Sequence, residues 1–394
     1  MERTAKGIIN SLIVLSAVAL TFSSCERMAM MAGTPVKFNA GISRHGTSET
    51  KAVYGSAGAT ATSQPIEWEK DDLITVYCEQ CEDTNVADYV VAEVHPSGSE
   101  SNSYAKIGNA SGNGLIWGDE GTHTFYALFP GVNTTGVTAS INGKDITGSI
   151  PQSQAFGTVT GTDDKVVPPV MKNMFMTAKS EIEAGEAGEP VFLDFMPLTT
   201  ALEFTITNQF DDTESAMNIK SISLISDGHA LSGGFAVDMD ETGLYGRPKT
   251  TLGSGVVTAD CDSVAINFGS SPVSLAYGKT LNFHFFLNPG NATAVDDLTF
   301  EIKGVNAGTS EPFTRRAKLE KKDKSKVTFP THQKTRISGI MVPESIAWTI
   351  NYDPTVEQWN KENESIDLEN EVNDALTFVI SWEINSTVED LPLK

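Results

Sequence analysis

The feature that most constrains this chain is the strand-like alternation of its apolar residues. Apolar and polar residues alternate in short segments such as Leu73–Tyr77, residues 202–206 and residues 281–287, and helical periodicity is nearly absent. A period of two places all the apolar residues of a segment on one face of an extended strand. Turn-forming clusters such as residues 109–114 and 288–291 separate these segments. The pattern therefore predicts an all-β fold built from β-sandwiches.

Length and composition indicate the number of domains. A chain of 394 residues corresponds to about two domains of ordinary size, and 40% hydrophobic residues are enough to fill their cores. Residues 179–189 are acidic and rich in glycine, which is typical of a linker. We therefore predict two tandem β-sandwich domains, with residues 1–24 as a signal peptide, 25–35 as a linker, 36–190 as the N-terminal domain and 191–394 as the C-terminal domain.

The N-terminus has the organisation of an export signal. Arg3 and Lys6 precede an apolar stretch, residues 8–22, that is too short to be a spanning helix. Two serines and Cys25 follow directly. Small residues before a cysteine resemble the lipobox of bacterial lipoproteins, in which the cysteine thiol carries diacylglycerol. We predict a lipid anchor on Cys25, and the alternative is an ordinary secretory peptide that contains a cysteine.

Charge and motif content exclude several classes of function. The 51 acidic residues outnumber the 28 basic ones, and the resulting net charge of −23 makes binding to nucleic-acid phosphates unfavourable. The six histidines are scattered singly, and the sequence has neither a zinc-protease motif nor a Gly-x-Ser-x-Gly nucleophile turn. We therefore predict a protein that is not an enzyme and that needs no metal or cofactor.

The remaining cysteines allow more than one interpretation. With Cys25 assigned to lipid, three are left, Cys78, Cys81 and Cys261, and three cannot pair completely. Cys78 and Cys81 have C-x-x-C spacing directly after a strand-like segment. A local disulfide or two unpaired thiols is the simplest interpretation, and a redox site or a zinc site is the alternative.

Several short motifs occur together in an order that resembles a known family. They are residues 36–42 (VKFNAGI), 50–52 (TKA), 68–74 (WEKDDLI), 124–130 (TFYALFP), 150–154 (IPQSQ) and 195–204 (FMPLTTALEF). Together they resemble the fimbrillin family of Bacteroidales, the lipoprotein precursors of type V pili. The order and spacing of the set carry the resemblance, which covers most of the chain. One departure falls in a turn, where Asp71 replaces the glycine of the family's Trp-x-x-Gly-Asp sequence.

The resemblance implies transthyretin-like β-sandwiches and a mechanism of assembly. Family members reach the outer membrane as lipoproteins, and a trypsin-like protease then cuts behind the first strand, which is residues 36–42 here. Lys51 is the first candidate site, because its Thr-Lys-Ala sequence matches the family's Thr-Arg-Ala, and Arg44 is the second. The cut opens a groove that a strand of the next subunit fills, which is β-augmentation. The implied product is a cell-surface fimbria of like or mixed subunits that serves adhesion.

The C-terminus supplies the candidate donor strand. The acidic residues 369–374 indicate a hinge before it. In an extended chain, one face of the segment carries five large apolar residues, Leu376, Phe378, Ile380, Trp382 and Ile384. Two interpretations follow: the strand is donated to the groove of another subunit, or it closes the C-terminal sandwich of its own chain.

Two other functional hypotheses share the lipobox and the β-sandwiches. A surface glycan-binding lipoprotein would stay monomeric and would bind polysaccharide through exposed aromatic residues such as Trp117 or Trp359. A tip adhesin of the same pilus is the other hypothesis. Assembly after protease treatment separates a pilus subunit from a monomeric glycan-binding protein.

Overall fold

The computed structural model describes most of the chain, with gaps. The described residues are 33–42, 51–54, 66–95, 104–118, 121–183, 190–209, 216–243, 246–254, 261–319, 327–329, 331, 334–341, 345–352, 376–381 and 383–384. Strands dominate these ranges. No helix within them is long and apolar enough to cross a bilayer.

The first twelve strands lie in the N-terminal half. In chain order they are β1 (Phe38–Ile42), β2 (Lys51–Tyr54), β3 (Ile66–Glu67), β4 (Leu73–Tyr77), β5 (Val86–His95), β6 (Tyr104–Asn109), β7 (Thr122–Phe129), β8 (Ala139–Asn142), β9 (Asp145–Ile150), β10 (Lys165–Val166), β11 (Met176–Glu183) and β12 (Val191–Pro197). A short 3-10 helix, Met171–Asn173, lies between β10 and β11.

The later strands follow the same pattern of short elements and turns. They are β13 (Thr200–Asn208), β14 (Met217–Ser226), β15 (Gly233–Thr242), β16 (Pro248–Leu252), β17 (Ser263–Asn267), β18 (Val273–Leu275), β19 (Thr280–Leu287), β20 (Leu298–Asn306), β21 (Pro312–Lys318), β22 (Lys334–Met341), β23 (Ser345–Tyr352), β24 (Leu376–Ser381) and β25 (Glu383–Ile384).

Strands of the N-terminal half close into a barrel. The strand order is β1-β12-β11-β7-β4-β5-β6, and β1 completes the circle because it pairs with both β12 and β6. Alternation sets which side chains point inward: along β12, Val191, Leu193 and Phe195 are buried, whereas Phe192 is exposed. The inward side chains form one continuous apolar core with those of β1.

Strands of the C-terminal half form a two-sheet sandwich. One sheet has the order β10-β19-β13-β22-β23-β24, and the other has the order β17-β14-β20-β21-β25 with β18 beside β14. The Phe204 ring stacks on Phe283 of its own sheet with centroids 5.3 Å apart, and on Phe300 of the opposite sheet at 5.4 Å. All three rings are buried, so the core lies between the two sheets.

A smaller sheet connects the two halves. Its order is β16-β15-β9-β8, and β9 pairs antiparallel with β15. Two ion pairs cross the same junction: Lys144 Nζ lies 2.9 Å from Asp238, and Lys179 Nζ lies 3.0 Å from Asp240. The halves are therefore joined by backbone hydrogen bonds and by side-chain charges.

The all-β, sandwich-like prediction is confirmed, and the structure adds the closed barrel. Two segments near the expected domain boundary have partners that the sequence did not indicate. β12 was expected to open the C-terminal domain, but it pairs with β1 and β11. Residues 179–183 were expected in a linker, but they continue β11 beside β7. Alternation identifies a strand and its buried face, whereas contacts between distant segments decide its partner. Where the chain divides into domains stays a prediction.

Candidate functional site: the strand that closes the barrel

β1 is held along both of its edges. It runs parallel to β12, with Phe38 opposite Val191 and Ile42 opposite Phe195. It runs antiparallel to β6, with Phe38 opposite Ile107. Removal of β1 would therefore expose the hydrogen-bonding groups of two strands at once.

The inward face of β1 is buried among aromatic rings. Val36, which precedes the strand, and Phe38, Ala40 and Ile42 are all at most 4% exposed. The Phe38 ring makes edge-on contacts with two rings of the barrel core, Tyr89 at 4.9 Å and Phe125 at 5.2 Å between centroids. We call the space between these two rings the aromatic slot. A large ring is needed to fill this space without a void.

The segment before β1 is also fixed to the barrel. Two backbone hydrogen bonds join this segment to Trp117. The Gly33 N–H donates to the Trp117 carbonyl at 3.0 Å, and the Trp117 N–H donates to the Thr34 carbonyl at 2.9 Å. The Val36 N–H donates to the Leu115 carbonyl at 2.8 Å. Non-covalent contacts thus hold residues 33–42 as one extended unit.

Both predicted cleavage sites follow β1 in the chain. Lys51 is the first residue of β2, and its backbone pairs with that of Glu67 in β3. Arg44 lies outside the described residues. A cut after either residue would separate β1 covalently from the rest of the barrel, and it would leave only the non-covalent contacts above.

The predicted donor residues lie in the last two described strands. Leu376, Phe378 and Ile380 belong to β24, Ile384 belongs to β25, and Trp382 lies outside the described residues. β24 pairs antiparallel with β23, and β25 pairs with β21. In this structure, both strands therefore extend sheets of their own chain, and donation to a second copy stays a prediction.

Other residues singled out from the sequence have defined places. Cys78 and Cys81 are free, buried thiols in the barrel core, so of the simplest interpretations the structure has the unpaired thiols. A hydrogen bond with Cys81 lowers the pKa of Cys78, and that bond together with burial raises the pKa of Cys81. Among the described residues, no three His, Cys, Asp or Glu side chains are placed to hold a metal ion. Cys25 lies outside the described residues.

The glycan-binding hypothesis loses one of its two aromatic residues. Trp117 is only 3% exposed, and its ring packs edge-on against Phe125 at 5.5 Å in the barrel core. The glycan-binding hypothesis required this side chain to be exposed. Trp359 lies outside the described residues.

The turn before β4 contains a feature that sequence reasoning missed. Asp71, which replaces the family's glycine, has a positive φ of 71°, so the backbone keeps the conformation that favours glycine. The next carboxylate, Asp72, accepts a hydrogen bond from the Glu69 N–H at 2.8 Å. Burial raises the pKa of Asp72 to about 7. A cavity of about 570 Å³ lies beside it, lined also by Phe129 and Lys172.

A second missed feature lies on the outer face of β1. Gly41 is buried although it points outward, because the ring of Phe192 on β12 covers it. A diagonal contact between two strands so distant in the chain leaves no signal in a single sequence.

Of the known proteins compared with this chain, only solved structures are similar to it. No protein-family model matches the sequence, and no curated protein is significantly similar to it. A "putative cell adhesion protein" from Bacteroides ovatus is 14% identical with a TM-score of 0.45, over 81% of this chain and 96% of that one. One from Bacteroides uniformis is 15% identical with a TM-score of 0.42, over 81% and 98%. A fimbrial protein from Bacteroides vulgatus is 13% identical with a TM-score of 0.32, over 89% and 99%. At such low identities and TM-scores, the function of this chain rests on its own residues.

Proposed function

We propose that this protein is a subunit of a cell-surface fimbria of the type V pilus kind, which is exported as an outer-membrane lipoprotein and serves adhesion. Its role is structural rather than enzymatic. A trypsin-like protease cuts after Lys51 or Arg44 and so separates residues 33–42 from the rest of the chain, and the C-terminal strand of another subunit takes the place of β1. The partners are further subunits of the same or a related chain.

The position of β1 is the observation that carries this proposal. It closes the barrel, it precedes two basic residues, and its contacts after a cut would all be non-covalent. An empty groove would leave apolar walls in water at about 25 cal/mol per Å². It would also leave the edges of β6 and β12 unpaired. One amphipathic strand in the groove would cover the apolar walls and pair with both edges.

The C-terminal strand, residues 376–384, resembles β1 in its pattern of apolar residues, and it could pair more extensively in the groove than in its own chain. β24 is the last strand in its sheet order, where β23 is its neighbour. In the groove it would pair along both edges, as β1 does. The five large apolar residues on one face of residues 376–384 resemble the inward face of residues 36–42. The exchange therefore replaces the pairing of β24 with β23, and the short pairing of β25 with β21, by two ladders of backbone hydrogen bonds along one strand.

Limited trypsin treatment of the purified mature chain tests the proposal. We expect loss of the N-terminal segment, a new N-terminus at His45 or Ala52, and ladders of bands on gels run without boiling. The uncut chain is the control and should remain monomeric. A chain that loses β1 and still remains monomeric would contradict the proposal and favour the glycan-binding alternative.

A further inference from the structure

The Phe192 ring restricts what can occupy the outer face of the groove. Phe192 is 49% exposed, yet its ring covers Gly41 of β1. A Cβ atom built on Gly41 would overlap Cζ of this ring and would lie 3.1 Å from Cε1. Any strand that replaces β1 meets the same ring at the same place.

The backbone that carries Phe192 cannot easily move away. Its neighbours Val191 and Leu193 are 2% and 0% exposed, because both point into the barrel core. A ring over a strand glycine also occurs at Gly148, but the ring there, Phe235, is itself buried in a core. Phe192 contributes little to any core, so core packing does not explain its place over the groove.

The groove thus has two recognition points at a fixed separation. The aromatic slot receives the inward residue Phe38. The Phe192 ring covers the outward residue three positions later, Gly41. A strand that fits both must carry an aromatic residue followed, three positions on, by a small one. The C-terminal strand has this spacing in Phe378 and Ser381.

We propose that the aromatic slot and the Phe192 ring select the C-terminal strand of a second copy in one direction and one register, with Phe378 in the slot and Ser381 beneath Phe192. This inference rests on the proposed function and specifies how the groove recognises its partner. The incoming strand runs in the direction of β1, parallel to β12 and antiparallel to β6.

Other alignments in the same direction fit worse. A shift of two residues one way puts Leu376 in the aromatic slot and the β-branched Val379 beneath Phe192. A shift the other way puts Ile380 in the slot and Glu383 beneath the ring. The fully buried Ala40 would be replaced by Phe378 or Trp382 in these alignments, but by the smaller Ile380 in the proposed one.

Reversed alignments that fill the slot or fit beneath the ring each have a misfit at another position. With Ser381 beneath Phe192, a reversed strand would place Trp382 at the fully buried Ala40. Moving that strand by two residues to put Trp382 in the slot would bring Val379 beneath the ring. A reversed strand with Phe378 in the slot has the small Ala375 beneath the ring, but it would place the charged Asp374 at the buried Ile42.

The test enlarges the residue beneath the ring. In the trypsin-cut chain, Ser381→Leu should slow ladder formation about tenfold, and Phe192→Ala in the same chain should restore the rate. Thr377→Leu is the matched control: Thr377 takes the place of the exposed Lys37, so the rate should stay within about twofold. An unaffected Ser381→Leu chain, a failed restoration, or an equal loss with Thr377→Leu would overturn the inference.

A second measurement avoids changes to the home position of β24. A synthetic peptide of residues 375–385, added to the cut wild-type chain, should stop ladder growth, and the peptide with Ser381→Leu should need about tenfold more. Equal potency of the two peptides would overturn the register. Failure of the wild-type chain to form ladders at all would instead contradict the proposed function, so the two failures are distinguishable.

Discussion

At the scale of single residues, Phe38 holds β1 in the barrel. Its ring is 2% exposed and lies between Tyr89 and Phe125. Phe38→Ala should lower the free energy of unfolding of the uncut chain by about 3–5 kcal/mol, because it removes apolar contacts and leaves a cavity. Urea denaturation measures this change. Asn39→Ala, on the outer face of the same strand, should change it by less than about 0.5 kcal/mol. Equal effects of the two substitutions would contradict the assigned faces.

Asp72 should make stability depend on pH. Burial raises its pKa to about 7, so the folded state binds this proton more tightly than the unfolded state does. The contribution is complete below pH 4 and is lost as pH rises through 7. Relative to wild type, Asp72→Asn should therefore gain about 1–3 kcal/mol of unfolding free energy between pH 4 and pH 8. The amide oxygen can still accept the Glu69 N–H.

Urea denaturation of both chains across this pH range gives the difference. Asp71→Asn is the matched control, since Asp71 is exposed and asparagine tolerates its positive φ. A constant difference between Asp72→Asn and wild type would show that this carboxylate does not titrate differently on folding.

At the scale of elements, the proposed function makes the release of β1 the step that starts assembly. Lys51→Ala together with Arg44→Ala should leave β1 attached after limited trypsin treatment, so full-length monomer should accumulate. The single variants separate the two sites. Lys51 lies in β2 and is paired with β3, so cleavage there requires this pair to open first. N-terminal sequencing of the cut chain identifies the site, and normal ladders from the double variant would refute the role of both.

The extent and faces of β1 could be predicted, but its surroundings could not. Alternation over residues 36–42 predicted a strand, and the structure has Phe38–Ile42 with Phe38 and Ala40 inward. Its parallel partner β12 could not be inferred, because the two strands are far apart in the chain. The contact of the Phe192 ring with Gly41 depends on that pairing, so it could not be predicted from the sequence either.

At the scale of the whole molecule, the barrel and the sandwich are joined by direct contacts and not only by the chain that connects them. Phe286 of β19 packs into the barrel core, and Leu128 of β7 packs into the sandwich core. The sheet that contains β9 and β15 adds backbone pairing between the halves. The proposed donor strand in the second half and the proposed groove in the first half are therefore carried by one connected structure, as assembly into a chain of subunits would require.

The N-terminal lipid should decide where the precursor is found. Cys25→Ala removes the thiol that would carry diacylglycerol, so the chain should lose its membrane anchor and incorporate no labelled palmitate. Fractionation of cells should then find it outside the outer-membrane fraction. Unchanged labelling of the Cys25→Ala chain would refute lipidation at this residue, whereas the groove and its occupant would be unaffected.

The C-terminal strand should be needed for donation and not for acceptance. Ile380→Asp together with Trp382→Asp would place two charges in an apolar groove at a cost of several kcal/mol, so the cut double variant should not donate its strand. Its own groove is intact, and it should still accept a wild-type strand. Small amounts mixed with cut wild-type chain should therefore shorten the ladders, and Thr377→Asp, on the opposite face, should not. A double variant that loses its thermal transition as a monomer would instead assign the strand to the sandwich of its own chain.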